Sequence, residues 1–262
     1  GGGVKNAEAF FEDEEAAVWN VDAELEPDLS ALLAAHRHHG NAVTLLVTEN
    51  RDPARFTPLH AEGTRLVRIG TVDGSRRDLI GGPGDRPLLF TGVSILSPSA
   101  IRRIPPGHRS LVDDLWRPLL EQGRERVGVV FHGGSFFDLG TPGDVLAASL
   151  SALDSRGEFD PAEGVFDREA KVLALDPAGV PAGVERSVVG RARIAPDARV
   201  ERSVLGDGAE VGARGSVCDS FVGPVRIEPG ESVGGMLLWP GEIGMIRIPL
   251  HDSSQRRDPA VK

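Results

Sequence analysis

Residues 192–208 read ARIAPDARVERSVLGDG, and the same pattern returns in residues 209–224 (AEVGARGSVCDSFVGP) and 225–241 (VRIEPGESVGGMLLWPG). Aligned, the copies place large apolar side chains in the same three columns. The columns are Ile194, Val211 and Ile227; Val200, Val217 and Val233; and Val204, Phe221 and Leu237. A partial copy, VERSVVG, occupies residues 184–190. A repeat at this period indicates a small structural unit that stacks on copies of itself.

Within each copy the first two apolar positions lie six residues apart, with small or turn-forming residues between them. Short apolar steps of this kind favour a three-sided parallel coil in which each turn stacks its aliphatic side chains on the turn below. We therefore predict a short three-sided parallel β-helix over residues 184–250. A β-sandwich of short strands is the alternative.

Residues 16–150 show a different organisation, in which strand-like and helix-like stretches alternate. The predicted strands cover residues 16–22, 42–48, 64–69, 88–96 and 126–132, and the predicted helices cover 29–39, 110–122 and 141–153. Strands interleaved with helices indicate an α/β domain with a largely parallel sheet. We place this domain at residues 1–154, a connector with one short strand (171–175) at 155–183, and a tail at 251–262.

The predicted helix over residues 29–39 has clear signals at both ends. Asp28 suits the N-cap and Gly40 suits the position just after the helix. The run His36-Arg37-His38-His39 lies in its last turn, where positive charge favours the helix dipole. We therefore predict a solvated helix end there and not a metal site.

Composition limits the class of protein. The 262 residues carry a net charge of −10, which argues against a nucleic-acid partner because phosphate backbones attract basic surfaces. No apolar run approaches the ~20 residues of a membrane-spanning helix, and no signal peptide is visible. The single cysteine, Cys218, is typical of a reducing compartment. We expect a cytoplasmic protein that does not contact a membrane.

Several side chains lie where α/β proteins bind ligands. Asp22 follows an apolar stretch and Asp138 precedes a turn and a helix, so both belong to strand–loop junctions. Gly92 interrupts an apolar strand, which indicates either close approach of a ligand or a bulge. Thr91, beside it, is either a hydroxyl donor to a ligand or a β-branched strand residue. A turn or helix-capping role is the alternative for Asp22.

Five motifs, in this order along the chain, resemble the NDP-sugar pyrophosphorylase superfamily. They are Gly1-Gly2-Gly3, Asn20-Val21-Asp22, Phe90-Thr91-Gly92-Val93, Phe137-Asp138-Leu139-Gly140-Thr141-Pro142 and Leu238-Trp239-Pro240-Gly241. The superfamily includes mannose-1-phosphate guanylyltransferases and N-acetylmuramate-1-phosphate uridylyltransferases. The resemblance implies a Rossmann-like (GT-A-like) mixed sheet, incomplete at its amino end, followed by a left-handed β-helix.

The resemblance also implies a chemistry. In this family a sugar 1-phosphate and a nucleoside triphosphate give an NDP-sugar and pyrophosphate, with Mg²⁺ as cofactor. Carried onto this sequence, Asp22 and Asp138 bind the Mg²⁺ and are the catalytic residues. The implied substrate-binding residues are Gly1, Gly2, Gly3, Asn20, Thr91 and Gly92. We also expect a homo-oligomer, because the exposed edges of the β-helix would otherwise be open templates for strand pairing.

Two departures from the family pattern keep other functions open. The phosphate-binding glycine-rich loop with its arginine is absent, and we expect it upstream of Gly1, so the chain reads as a fragment or as a degenerate protein. Residue 21 is valine where the family usually has glycine. Both favour, as an alternative, an inactive regulatory paralogue that binds a sugar nucleotide. A hexapeptide acyltransferase is less favoured, because residues 184–241 contain no histidine to act as a base.

Overall fold

The computed structural model describes residues 1–11, 13–70, 87–155, 164–176, 178–242 and 244–250. The chain forms two compact units, Gly1–Asp138 and Leu139–Lys262. The tail predicted at 251–262 lies outside the described residues, as do parts of the connector predicted at 155–183. The units divide earlier than residue 154, because the helix that follows Asp138 packs within the second unit.

The first unit is α/β. Its strands are β1 (Ala16–Trp19), β2 (Ala23–Leu25), β3 (Asn41–Glu49), β4 (Leu59–Glu62), β5 (Arg65–Ile69), β6 (Leu88–Leu96), β7 (Arg126–Phe131) and β8 (Phe136–Asp138). Its α-helices are α1 (Gly2–Asn6), α2 (Leu29–His38), α3 (Pro98–Arg103) and α4 (Arg117–Gln122). A 3₁₀ turn covers Glu8–Phe10 and a π-helical segment, Val112–Trp116, leads into α4.

Six of these strands form one sheet in the order β1-β6-β3-β7-β5-β4, and β2 pairs separately with β8. The mixed sheet implied by the family resemblance is confirmed, but the largely parallel sheet expected from the alternation of elements is wrong. Among the described residues, β3 and β7 form the one parallel pair of this sheet. The antiparallel β6 lies between β1 and β3. The described elements that connect β3 to β6 are the strands β4 and β5, and neither of them is the crossover helix that parallel neighbours usually need.

The core of the first unit lies on both faces of β3, whose residues 42–48 (AVTLLVT) are largely apolar, as is typical of a strand covered on both sides. Leu45 and Val47 pack into one apolar cluster together with Leu96 and Trp116. Leu46 points to the other face and packs with residues of α2 and β6. β3 therefore lies inside the sheet with both faces covered. The loops that precede and follow it lie at the two edges formed by the strand ends.

The helix signals around α2 are confirmed, with one correction. The Asp28 carboxylate accepts a hydrogen bond from the Ala31 amide (2.8 Å), and Gly40 has φ +57° just after the helix. His36, however, is not part of a solvated end. Its ring is buried (3% exposed), with Nδ1 2.8 Å from the Thr44 hydroxyl. His36 lies on the face of α2 that packs on β3, whereas Arg37, His38 and His39 are exposed.

The described part of the second unit consists of one helix and a parallel β-helix. The helix is α5 (Pro142–Ser155). The strands are β9 (Val165–Asp167), β10 (Val172–Ala174), β11 (Val184–Glu185), β12 (Val188–Val189), β13 (Arg193–Ile194), β14 (Arg199–Glu201), β15 (Val204–Leu205), β16 (Glu210–Val211), β17 (Ser216–Cys218), β18 (Phe221–Val222), β19 (Arg226–Ile227), β20 (Ser232–Gly234), β21 (Met236–Gly241) and β22 (Gly244–Pro249). The short strand predicted in the connector is β10.

The register of the β-helix matches the three sequence columns. Its faces are the sheets β11-β14-β17-β20, β13-β16-β19 and β10-β12-β15-β18-β21, the last extended by antiparallel β9 and β22. Val200 pairs with Val217 and Val217 with Val233, and the other two columns pair in the same way. The predicted β-helix, of about four turns, is confirmed.

The third column differs from expectation in where its side chains point. Val204 lies outside the β-helix core and packs with Leu146, Leu150 and Leu153 of α5. On this face the residue that follows each column residue points into the β-helix. Leu205 and Leu238, which follow Val204 and Leu237, belong to its apolar core. Both neighbouring positions are apolar because one fills the β-helix and the other receives α5.

A ladder of buried serines runs up one corner of the β-helix. Ser187, Ser203 and Ser220 are fully buried. The Ser203 hydroxyl donates to the Glu201 carbonyl (2.7 Å) and accepts from the Ser220 amide (3.2 Å), and Ser187 and Ser220 repeat this pattern one turn away. The serines therefore satisfy backbone groups that the corner leaves outside the strand pairing.

Candidate functional site

Three strands that run in the same direction end at one edge of the first unit's sheet. β1 and β3 are both antiparallel to β6, and β7 is parallel to β3. Asp22 lies in the turn after β1, residues 50–58 form the loop after β3, and Asp138 ends β8, the short strand that follows β7. Loops at such an edge converge on ligands in α/β proteins, so this edge is the candidate site.

A tight turn carries Asn20, Val21 and Asp22, which is where the predicted strand over 16–22 stops being a strand. The Asn20 amide donates to the Gly92 carbonyl (2.9 Å), and the Ala23 amide donates back to the Asn20 carbonyl (3.2 Å). The Trp19 indole N–H donates to the Ala23 carbonyl (3.0 Å). Asp22 is exposed in this turn, so its carboxylate is open to a ligand.

The pairing of β2 with β8 brings the two predicted aspartates together. Ala23 is the partner of Asp138 in this antiparallel register, and Asp22 directly precedes Ala23. Residues 116 positions apart in the sequence thus become neighbours at one edge. Neither β2 nor β8 was predicted, because three-residue strands are too short to show a periodic pattern.

Gly92 provides the space for this turn. It has φ +90°, and a Cβ built there would lie 2.9 Å from the Ala23 Cβ and 3.1 Å from the Asn20 Cβ. The close approach at Gly92 in this structure is therefore made by the protein's own turn. The pairing of β3 with β6 also shifts register between Leu45 and Val47, opposite this part of β6, which agrees with the bulge alternative. Approach of a ligand to Gly92 stays a prediction.

Arg55 is a site residue that the sequence reasoning missed. One of its terminal nitrogens donates to Oδ2 of Asp138 at 3.4 Å, and its guanidinium carbon lies 4.7 Å from the centre of the Phe56 ring. Its loop is shaped by Asn50 and Asp52, whose carboxamide and carboxylate oxygens accept from the amides of Asp52 and Arg55 (3.1 Å each). The turn-forming sequence Asn50-Arg51-Asp52-Pro53 was the available signal.

Thr91 and the glycine triplet take structural positions. The Thr91 hydroxyl is buried and donates to the Leu46 carbonyl at 2.9 Å, which ties β6 to β3. Gly1 and Gly2 begin α1 and lie so close to the backbone of Arg109 and Gly107 that a Cβ would collide with it, whereas Gly3 has open space. Substrate binding by these four residues stays a prediction.

The donor set at the edge fits a hard divalent cation. Asp22 and Asp138 offer carboxylate oxygens, and Mg²⁺ commonly takes one or two carboxylates and completes its shell with water and phosphate oxygens. Within the described part of the chain, no three His, Cys, Asp or Glu residues gather to form a larger metal cage. The residues thus fit a cation that shares its ligands with a substrate.

The described helices include none that is long and apolar enough to cross a membrane.

Comparison with known proteins supports the nucleotidyltransferase class that the sequence motifs indicated. No protein-family model matches the chain. Over 220 residues it is 28% identical to a mannose-1-phosphate guanylyltransferase of Mycobacterium tuberculosis, which covers 81% of this chain. The chain spans 58% of the length of that relative. The crystal structure of HddC from Yersinia pseudotuberculosis is 21% identical to this chain, with a TM-score of 0.44. The match covers 56% of this chain and 59% of the HddC chain.

The relative and the β-helix together confirm the resemblance to the sugar-1-phosphate nucleotidyltransferases of the NDP-sugar pyrophosphorylase superfamily.

Proposed function

We propose that this chain carries the metal-binding edge of a nucleotidyltransferase that joins a nucleoside triphosphate to a sugar 1-phosphate and releases pyrophosphate. The observation that supports this most directly is the β2–β8 register, which sets Asp138 opposite Ala23 and next to Asp22. The name of the relative supports the reaction class and makes mannose 1-phosphate and GTP the first substrates to test.

The residues at the edge have separable roles in this proposal. Asp22 and Asp138 hold Mg²⁺, which, when bound, offsets the repulsion between two polyanionic substrates and orients their phosphates. Gly92 keeps the Asn20–Ala23 turn close to the sheet, which would hold Asp22 beside the strand end that carries Asp138. Asn20 presents its exposed carboxamide from the same turn, where it can accept or donate hydrogen bonds to the sugar.

Substitution of Asp138 tests the proposal. Asp138→Asn keeps the shape of the side chain and removes its charge, so it should lower turnover at least 100-fold and raise the Mg²⁺ concentration needed for half-maximal rate. The measurement is pyrophosphate release by the native polypeptide that contains this sequence, with mannose 1-phosphate and each nucleoside triphosphate. Unchanged turnover and Mg²⁺ dependence in this variant would contradict the proposal.

A second candidate is a regulatory paralogue that binds a sugar nucleotide without turnover. It is favoured by Val21, whose side chain is fully exposed in the turn where the family usually has glycine. Calorimetric binding of GDP-mannose by a native polypeptide that releases no pyrophosphate would identify this candidate. Homo-oligomer formation and a cytoplasmic location stay predictions.

A further inference from the structure

The guanidinium of Arg55 lies against Asp138, a proposed metal ligand. Its hydrogen bond to Oδ2 of Asp138 joins groups 83 residues apart, and the two side chains are 35% and 30% exposed. The contact is thus open to solvent on one side. An ion pair with this exposure is weak, typically below about 1 kcal/mol, so a divalent cation can displace it.

The guanidinium is held in place by more than this ion pair. The guanidinium stacks on Phe56, and the Arg55 amide donates a hydrogen bond to the Asp52 carboxylate; both contacts lie within residues 50–58. The Asn50 carboxamide also donates to the Phe56 carbonyl at 3.1 Å, and Asn50 is 5% exposed. Arg55 would therefore stay at the edge after losing Asp138.

We propose that Arg55 and the divalent cation exchange at Asp138: the guanidinium pairs with the carboxylate when the cation is absent and binds the sugar phosphate when the cation is present. This rests on the proposed function, which supplies the cation and the phosphate. Arg55 is then a substrate-binding residue whose availability is set by the metal.

Charge and geometry favour a phosphate as the new partner of Arg55. A guanidinium offers a planar fork of N–H donors that matches the oxygens of a phosphate or carboxylate. A metal-bound phosphate would lie next to Asp138, which is the carboxylate that Arg55 has just left. A sugar 1-phosphate meets both requirements, because its phosphate can contact the metal while its ring extends away from it.

The test measures metal binding directly. Mn²⁺ is titrated into the 262-residue chain and free Mn²⁺ is followed by electron paramagnetic resonance, for wild type, Arg55→Met, Arg51→Met and Asp138→Asn. Arg51 is the matched control, since it lies in the same loop and its side chain, 86% exposed, pairs with Glu49. Removal of a competing cation should make Arg55→Met bind Mn²⁺ about two- to fivefold more tightly than wild type and Arg51→Met.

A second measurement uses mannose 1-phosphate at saturating Mn²⁺. There Arg55→Met should bind the sugar phosphate about tenfold more weakly, because a charge-assisted hydrogen bond is lost. Opposite changes for cation and phosphate cannot come from misfolding, which would weaken both. Loss of phosphate affinity without a gain in Mn²⁺ affinity would overturn the exchange.

The outcomes separate this inference from the proposed function. If Mn²⁺ binds wild type but not Asp138→Asn, and Arg55→Met binds it no more tightly, the exchange is wrong and the metal site stands. If Mn²⁺ binding does not depend on Asp138, the metal site itself is wrong and the exchange fails with it.

Discussion

The Asn20–Ala23 turn and the corners of the β-helix both force the backbone out of extended conformation, but they are supported in different ways. At successive corners Arg186, Arg202 and Asp219 have φ between +43° and +49°, and a buried serine follows each. The turn at the candidate site occurs once and relies on Gly92 in a neighbouring strand. In the β-helix the same corner recurs in successive turns, each with its own serine. The turn at the candidate site, in contrast, depends on individual residues such as Gly92.

The sharpest way to break this comparison is Gly92→Ala. The new Cβ would meet Ala23 and Asn20, and L-residues rarely adopt φ +90°. We expect a loss of about 2–4 kcal/mol in the free energy of unfolding of the first unit, measured by urea titration. Displacing the turn should also weaken Mn²⁺ binding.

Gly40→Ala is the control for Gly92→Ala. Gly40 has φ +57°, but nothing lies within 4 Å of a Cβ built there. Gly40→Ala should therefore lower the free energy of unfolding only by the cost of the left-handed backbone conformation, about 1 kcal/mol. The Mn²⁺ affinity should be unchanged. Equal effects of the two substitutions would mean that the space beside the turn does not matter.

A smaller effect is expected where the corner is repeated. Ser203→Ala removes the acceptor of the buried Ser220 amide and the donor to the Glu201 carbonyl. The Asp219 amide also donates to that carbonyl (3.2 Å), so it keeps one partner. We expect a loss of about 1–2 kcal/mol in the second unit, measured by thermal unfolding.

Ser216→Ala gives the comparison for the ladder. The Ser216 hydroxyl donates to that of Ser232 (2.9 Å) at an exposed position on another face, so its loss should change the free energy of unfolding by less than about 0.5 kcal/mol. A Ser203→Ala protein as stable as Ser216→Ala would show that the corner does not need its serines.

The difference between repeated and single features also explains which parts of the structure could be predicted from the sequence. The columns of the β-helix were predictable because each turn repeats the same backbone path, so apolar positions align when the copies align. The serine ladder had an equally regular signal in ERS, ERS and CDS (residues 185–187, 201–203 and 218–220), but polar residues were not expected inside. Which of two neighbouring apolar residues, such as Val204 and Leu205, points inward depended on α5, which lies outside the repeat.

At the candidate site the sequence indicated the residues but not the contacts. Asp22 and Asp138 were predicted from strand ends and the family resemblance, whereas their adjacency depends on β2 and β8, which have no periodic signal. Arg55 reaches Asp138 only through the fold. Long-range contacts between single polar residues leave no local pattern in the sequence, so they could not be predicted from it.

The smallest expected effect concerns His36, a buried group that occurs once. Burial lowers its pKa from the ordinary value of 6.5, an effect that Glu15 opposes and Arg37 reinforces. Because the Asn41 carboxamide donates to the Thr44 hydroxyl (2.8 Å), that hydroxyl can donate to Nδ1 of His36, which favours the neutral ring. Between the folded and unfolded pKa values the unfolded chain binds more protons, so stability is lost as pH falls below 6.5.

We therefore expect the urea midpoint of the first unit to fall between pH 7.5 and pH 5.5 in wild type and to fall less in His36→Gln. His38→Gln is the matched control, since His38 lies on the exposed face of the same helix and should leave the wild-type slope unchanged. The comparison uses slopes, so any overall destabilisation by glutamine does not affect it. If wild type and His36→Gln lose stability in parallel, the titrating group lies elsewhere, and the buried histidine is only a packing element of α2 on β3.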